Sequence, residues 1–459
     1  VITQKEILEG YAAGDSSDDR SPAALVFPQG VEEVAEVIAW ARESDMRVMP
    51  VSSGTPHRSA VIRAERYVVL DLSRMDAVVR TDRRNRVAIV EPGVTFMQLD
   101  GELARVGLRA MTPLAPRTGK SVLAAYLDRT PTLVPRAQWD LSDPLLCTEL
   151  VMGTGDIFRT GCAAGPGTLE QQWSTGQAQK NPMGPSSFDF FRLVQGARGS
   201  FGVVTWISFK CELRPVEHEL LLVPASDPEP LAEVVYRVSR ARWGEECLVL
   251  DRVALEALTG ARGMPAFALL LGVAGFEYRP RQRVAYQLKG IEGLLQAVGL
   301  ARAGSLAGVG ARRMLELVKG SGEPWWKDTR GDHLDICFLS TIDRAGDFSS
   351  LIDEECGARG FDRSRVGLYI QPQLGGRVAH YEIILLFGGD ERESAEPFCR
   401  SLAEAVKARG AYFSRPAGAW EDLAYRDKPL LVDTFRRAKR LFDPGDVLNP
   451  DAICFREVV

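Results

Sequence analysis

Residues 48–60 read VMPVSSGTPHRSA, and the fold turns on what this segment is for. It carries one glycine, four hydroxyl side chains, two prolines and no acid. Upstream, AALVFPQGVEEVAEVIAWARESDMRV reads as strand, turn, helix, strand. Val34, Val37, Ile38 and Ala41 recur at helical spacing, and two glutamates sit in the first turn, where a helix dipole favours acids. Downstream, RYVVLDLSRM reads as a further strand. A loop of small and hydroxyl residues after a strand can turn backbone N–H groups toward an anion. Glycine lets the backbone approach, and serine and threonine add donors. A plain surface loop has the same composition, so both readings stand at this point. The segment has neither the G-x-G-x-x-G nor the G-x-x-x-x-G-K-[ST] spacing, so neither Rossmann nor Walker geometry follows.

Working outward, RVAIVEPGVTFMQLDGELARVGL gives a strand, a Pro-Gly turn and a helix. LLCTELVMGTGDIFRTG gives two strands about a Gly-Asp turn, and GSFGVVTWISFKCELRP one more strand, closing near Pro215. The first half is thus an α+β unit of many short strands. From 216 to about 425 the rhythm changes to longer strands alternating with long helices, as in AFALLLGVAGF followed by RQRVAYQLKGIEGLLQAVG. This pattern fits two βαβ-type halves around an antiparallel sheet. The tail, LLVDTFRRAKRLFDPGDVLNPDAICF, reads as a helix and an Asp-Pro-Gly turn. No low-complexity segment or short-period repeat interrupts the chain.

Composition bounds the function. The 459 residues are 45% hydrophobic and 25% charged with a net charge of −5, which leaves no basic footprint for a nucleic-acid partner. No apolar run approaches the roughly 20 residues of a membrane-spanning helix, and residues 1–11 carry no signal-peptide pattern. Eight cysteines, Cys147, Cys162, Cys211, Cys247, Cys337, Cys356, Cys399 and Cys454, are scattered singly without a C-x-x-C pair. Neither an iron–sulfur cluster nor a metal site is expected. Buried reduced thiols in a cytoplasmic protein are expected, with a periplasmic location left open.

The order of five motifs resembles the vanillyl-alcohol oxidase / para-cresol methylhydroxylase family of flavoproteins along nearly the whole chain. PVSSGTP (50–56) is similar to its pyrophosphate loop, and IVEPGVTFMQLDGELARVGL to the strand and helix that follow. SVLAAYLDRTPTLVPRAQWDLSDPLLCTELVMGTGDIFRTG (121–161) is the most specific match. GARGSFGVVTWISFKCELRP resembles the flavin-ring strand, and FDPGDVLNP (442–450) the terminal turn. The resemblance implies a two-domain FAD-binding PCMH-type fold of the α+β class. Residues 1–215 and 426–459 would form the FAD-binding domain, and 216–425 a cap built on an antiparallel sheet flanked by helices. It implies FAD as cofactor, contacted by Pro50, Val51, Ser52, Ser53, Gly54, Thr55 and Pro56, by Pro113, Ser121 and Gly161, by Gly202, Val203 and Val204, and by Asn449.

The resemblance also assigns chemistry. Asp128 in YLDRTP matches an acid near the flavin N5, where a carboxylate acts as a base or stabilises developing charge; alternatively it pairs with Arg129 or caps a turn. Arg415 in YFSRPAG matches an arginine that binds the substrate phenolate, and a guanidinium suits any oxyanion. His380, with Arg377, matches an arginine–histidine pair on a cap strand; a histidine there is also commonly structural. Tyr369 and Tyr381 are candidates to face the flavin, and Trp325 and Trp326 to line a pocket or a domain seam. Two departures matter. Ser414 replaces a tyrosine, and PHRSA replaces another, which breaks the phenolate clamp and leaves His57 or Arg58 in that space. Some members attach FAD covalently through a cap residue. The matching position here is Ile336, which predicts dissociable FAD, with His333 nearby in another register.

The expected function is an FAD-dependent oxidoreductase that removes hydride from an alcohol or benzylic carbon of a small aromatic or anionic substrate. A 2-hydroxy-acid dehydrogenase of the glycolate/D-lactate type is the alternative, and an FAD-bearing electron-relay subunit a third reading. Oxygen, a cytochrome or another flavoprotein would accept the electrons, and a homo-oligomer is expected by family likeness.

Overall fold

The strand Arg47–Val51 leads into the opening segment from the edge of a three-stranded parallel sheet. Tyr67–Asp71 runs through the middle of that sheet, with Ala24–Val26 on its other side, and is buried along its whole length. A central parallel strand covered on both faces needs such a continuous apolar run. The helix Val31–Glu43 covers the sheet with Val34, Ile38 and Ala41. The structure, a computed structural model, describes residues 1–11, 21–53, 66–137, 143–177, 179–187, 190–320 and 322–455. Gly54, Thr55, Pro56, His57 and Arg58 lie outside them.

A five-stranded antiparallel sheet follows, in the order Val78–Asp82, Val87–Val90, Val203–Lys210, Leu145–Val151, Ile157–Arg159. Two short helices start from it on hydroxyl caps. Thr95 accepts from the Gln98 N–H (3.3 Å) to begin Phe96–Arg105, and Ser121 accepts from the Ala124 N–H (3.1 Å) to begin Val122–Leu127.

All strands of the third sheet come from between residues 217 and 413. Glu217–Ala225 and Cys247–Asp251 flank Phe267–Gly275, while Asp332–Ser340 and Val366–Gln373 flank Val378–Phe387; every pairing is antiparallel. Each half is therefore a split βαβ unit with one strand inserted between two parallel ones. The halves join where Cys247–Asp251 pairs with Val366–Gln373, and Tyr412–Phe413 closes the far edge. Four helices, Glu229–Arg240, Pro280–Ala297, Ala345–Arg359 and Arg392–Ala408, pack on one face. The other face turns toward the first two sheets through Leu114, Leu133, Tyr369 and Trp326.

The tail returns as the helix Pro429–Phe442, secured by a buried pair. Lys439 Nζ donates to Asp443 Oδ2 (2.8 Å), Ser200 O (3.1 Å) and Leu448 O (2.8 Å). Asp443 in turn accepts from the N–H groups of Val447 (3.0 Å) and Leu448 (2.8 Å). Gly153 must lack a side chain here, because a Cβ would lie 2.2 Å from Asp443 Oδ1. Val48 and Asn449 then bond backbone to backbone, tying the tail to the strand that leads into the opening segment.

Candidate active site

Two cavities meet below the third sheet. The first, about 160 Å³, is walled by Pro50, Val51, Ser52 and Ser53, by Gly199, Gly202, Val203 and Val204, and by Asn449. The second, about 310 Å³, lies against the third sheet and falls in the usual size range of small-molecule sites, roughly 300–1,000 Å³. Arg117, Lys120, Asp128 and Arg198 line both.

The first cavity has the lining that the diphosphate portion of FAD needs. Its described lining has three cations, Arg117, Lys120 and Arg198, against one acid, Asp128, which favours a diphosphate. Val203, Val204, Leu123 and Leu127 supply apolar wall. Asn449 Nδ2 donates to Arg198 O (2.7 Å), but its buried Oδ1 has no partner among the described residues. Gly199 has φ +76°, and a Cβ there would lie 2.4 Å from the Pro50 ring, so the wall needs glycine. Ser121 holds the loop in place: its N–H donates to Ser53 Oγ (3.0 Å) and its hydroxyl to Pro92 O (2.5 Å). Ser121 thus supports the cavity from behind. Pro113 lines the second cavity. Gly161 lines neither. It turns the chain at φ +61°, where a Cβ would lie 2.4 Å from Asn181 O and 3.0 Å from Cys147 Sγ.

The second cavity takes its sheet-side wall from a row across three strands. Tyr369 is paired with Glu382, and Glu382 with Cys337, so alternation puts these side chains on one face with Asp335 and His333. Tyr381 is one residue out of phase. It stacks on Phe338 in the helix-side core and donates to Thr341 O (2.6 Å), so of the two tyrosines only Tyr369 reaches the cavity. The same alternation places Ile336, the position matched to the covalent linkage, fully buried in the helix-side core, while His333, Asp335 and Cys337 face the cavity.

A chain of buried charges organises this wall. Lys327 donates to Glu382 Oε1 and to Asp335 Oδ2 (2.7 Å). Burial opposes its charge, but the two carboxylates outweigh that and push its pKa up. Burial likewise opposes charge on Asp335 and Glu382, yet Lys327 holds both well below the usual carboxylate range. His333 Nδ1 meets Asp328 Oδ1 (2.8 Å), and its Nε2 lies 3.6 Å from Asp335 Oδ2.

His380 is fully buried behind Glu382, its Nε2 3.1 Å from Glu382 Oε2, and does not line the cavity. Burial lowers its pKa, against the opposing pull of the Glu382 carboxylate. His380, expected as a catalytic candidate, thus stands behind Glu382 and away from the cavity. Arg377, its expected companion, is exposed and precedes the strand.

Arg415 follows the edge strand Tyr412–Phe413 and projects into the cavity. Burial opposes its charge, but nearby acidic groups including Asp128, Glu382 and Asp335 raise its pKa. Among the described residues no carboxylate comes within ion-pairing distance of it. Asp335 Oδ1 and Ser414 Oγ are likewise buried without a protein partner. Asp128 ends the helix Val122–Leu127, with Lys120 Nζ 3.5 Å from its carboxylate. Trp325, Trp326, Tyr369 and Trp420 supply aromatic wall. Lys327, Glu382 and Asp335 were missed in the sequence, where the only signal was strand alternation around Cys337 and Tyr381.

Residues 22–161 match the FAD binding domain family. The chain is 23% identical to an uncharacterized FAD-linked oxidoreductase of Mycobacterium tuberculosis, over 99% of this chain and 96% of that one. It is 22% identical to a mitochondrial D-lactate dehydrogenase [cytochrome] of Arabidopsis thaliana, over 94% of this chain and 73% of that one. A solved structure of p-cresol methylhydroxylase with substrate bound superposes with a TM-score of 0.78 at 17% identity, covering 99% and 94% of the two chains. The protein is an FAD-linked oxidoreductase with an FAD binding domain, FAD is its cofactor, and it shares its fold with p-cresol methylhydroxylase. No helix among the described residues is long and apolar enough to cross a membrane.

Proposed function

We propose that this enzyme dehydrogenates a small aromatic substrate with an anionic end at an alcohol or benzylic carbon, in a site shared by residues 1–215 and a substrate unit formed by 216–425. The observation that supports the reading is Arg415, a half-buried guanidinium in an aromatic-walled cavity with no carboxylate within ion-pairing distance among the described residues. Arg415 anchors the anion. Asp128, at the junction of the two cavities, accepts the proton that a substrate hydroxyl or phenol releases, and Lys120 steadies the resulting charge balance. Asp335 Oδ1 and Ser414 Oγ offer further polar contacts. FAD, when bound, supplies the acceptor for a hydride. The 2-hydroxy-acid reading keeps the same Arg415 contact with a carboxylate, and the likeness to a D-lactate dehydrogenase favours testing it.

A charge-assisted hydrogen bond contributes about 1.5–3 kcal/mol. Arg415→Ala is therefore expected to lower kcat/KM by about 10–150-fold at 1.4 kcal/mol per decade, with Arg415→Lys recovering part, since an ammonium lacks the planar two-point contact. Dye-linked turnover across para-hydroxybenzyl alcohols, aryl alcohols and 2-hydroxy acids checks this. Parity of Arg415→Ala with wild type on the best substrate would place the anion site elsewhere. Turnover of 2-hydroxy acids alone would replace the aromatic reading.

FAD is held without a covalent bond on this reading. His333 supports it, since its ring nitrogens face Asp328 and Asp335. Acid precipitation is expected to leave all the flavin in the supernatant; yellow protein on a denaturing gel would refute non-covalent binding.

A further inference from the structure

Cys147 and Cys162 are 15 residues apart in the chain, yet their sulfurs lie 3.8 Å apart. Cys147 is fully buried in the strand Leu145–Val151; Cys162 is partly exposed in the turn Gly161–Ala163. The Cys162 sulfur accepts the backbone N–H groups of Lys180 (3.3 Å) and Asn181 (3.2 Å). The Cys147 sulfur is placed to donate to Asn181 O (3.2 Å) or to Cys162. The Cys162 N–H donates to the same Asn181 carbonyl (3.0 Å), so the turn and residues 180–181 form a small nest around one sulfur. Donors converging on a sulfur favour its anion, and the thiolate is the reactive form of cysteine.

We propose that Cys162 is a peroxide-reactive thiolate and Cys147 its resolving thiol, so that the pair is a reversible disulfide-forming site. The oxidant is hydrogen peroxide. The Cys162 thiolate attacks one peroxide oxygen; an S–O bond forms, the O–O bond breaks, and the departing hydroxide takes a proton and leaves as water. Cys147 then loses its proton and attacks the sulfenic sulfur; an S–S bond forms, the S–O bond breaks, and a second water leaves. In sum two thiols and one peroxide give a disulfide and two waters, and an external dithiol reverses it. The sulfurs must close from 3.8 Å to a bonded distance of about 2.05 Å. A partly exposed turn can make that move more readily than the central strand.

The other cysteines provide the contrast. The hydrogen bond from Cys147 pulls the Cys162 pKa down to about 6 against the effect of burial, while Cys147 is held well above the ordinary range. Burial pushes Cys211 and Cys247 up to about 12 and Cys356 and Cys454 up to about 11, and raises Cys337 and Cys399 further.

The test uses the FAD-loaded full chain. After stoichiometric peroxide at pH 7, free thiols are alkylated and peptides mapped by mass spectrometry. A single Cys147–Cys162 linked peptide, abolished by dithiothreitol, is expected. In Cys147→Ser, dimedone is expected to trap a sulfenic acid on Cys162. Should that variant fold poorly, iodoacetamide labelling of native wild type decides independently: Cys162 labels with a midpoint near pH 6 while the buried cysteines stay unlabelled. A midpoint near the ordinary thiol value of about 8.5, or peroxide oxidation that bypasses this pair, overturns the proposal.

Discussion

Asp128→Asn is expected to slow reduction of the flavin by substrate about 10²–10⁴-fold, the usual contribution of one positioned acid–base group, while the protein stays fully loaded with FAD. The structure separates these two effects. Asp128 lines both cavities but belongs to neither the loop 50–53 nor the Val203–Val204 wall. Asparagine keeps its size and its place at the end of the helix Val122–Leu127. What it removes is the ability to take a proton and the charge that faces Lys120 at 3.5 Å. Single-turnover reduction under anaerobic conditions measures the step directly, and the flavin-to-protein absorbance ratio reports occupancy. A rate equal to wild type would make Asp128 a helix terminus and nothing more. A lost flavin would make it a cofactor ligand instead.

Lys327→Met is expected to lower stability by about 3–5 kcal/mol at pH 8, the range for stranding one side of a buried ion pair. Lys327 is buried between Glu382 and Asp335, and methionine fills a similar volume without charge. The pH dependence gives the mechanism a signature. In wild type the folded pKa values of Asp335 and Glu382 are depressed, so their stabilising contribution is present above the ordinary carboxylate range and fades as pH falls through and below it. Lys327 is raised, so its contribution holds until pH climbs past the ordinary lysine value of about 10.4. In the variant the stranded carboxylates gain by protonation. The gap between variant and wild type should therefore be widest near pH 8 and narrow toward pH 5 in urea midpoints. Adding Glu382→Gln to Lys327→Met should recover part of the loss. A gap that stays constant with pH would mean packing, not charge, is what Lys327 provides.

Much of this architecture was legible because its elements announce themselves. The helix Val31–Glu43 shows its apolar stripe, and the long strands of the third sheet are bounded by turns and helices with clear periodicity. The strand Cys247–Asp251 was not read, because it runs straight into the helix Arg252–Thr259 with no turn residue between them. Asp251 serves as last strand residue and helix cap at once, accepting from the Ala254 N–H at 2.9 Å. Asp128, Arg415 and residues 50–53 sit in sequence motifs, and each lines one or both cavities. The charged row was not legible, since a period of two shows which residues share a face but not which face meets a cavity. On Asp332–Ser340 Ile336 sits in the helix-side core while its neighbours Asp335 and Cys337 line the cavity. The cysteines read as solitary because spacing says nothing about a strand and a turn folded against each other.

The strap fastened by Lys439 and Asp443 also brings the last residues of the chain back against a wall built by its first fifty. Asn449 lines the first cavity and Ile453 the second, whereas the matched family segment ends at residue 161. A ribosome that has just released the opening loop has made one wall of a vessel whose far wall is nearly 400 residues away, given Val51 and Asn449. A fragment spanning only residues 22–161 therefore lacks Gly199, Gly202, Val203, Val204 and Asn449 of the first cavity's lining.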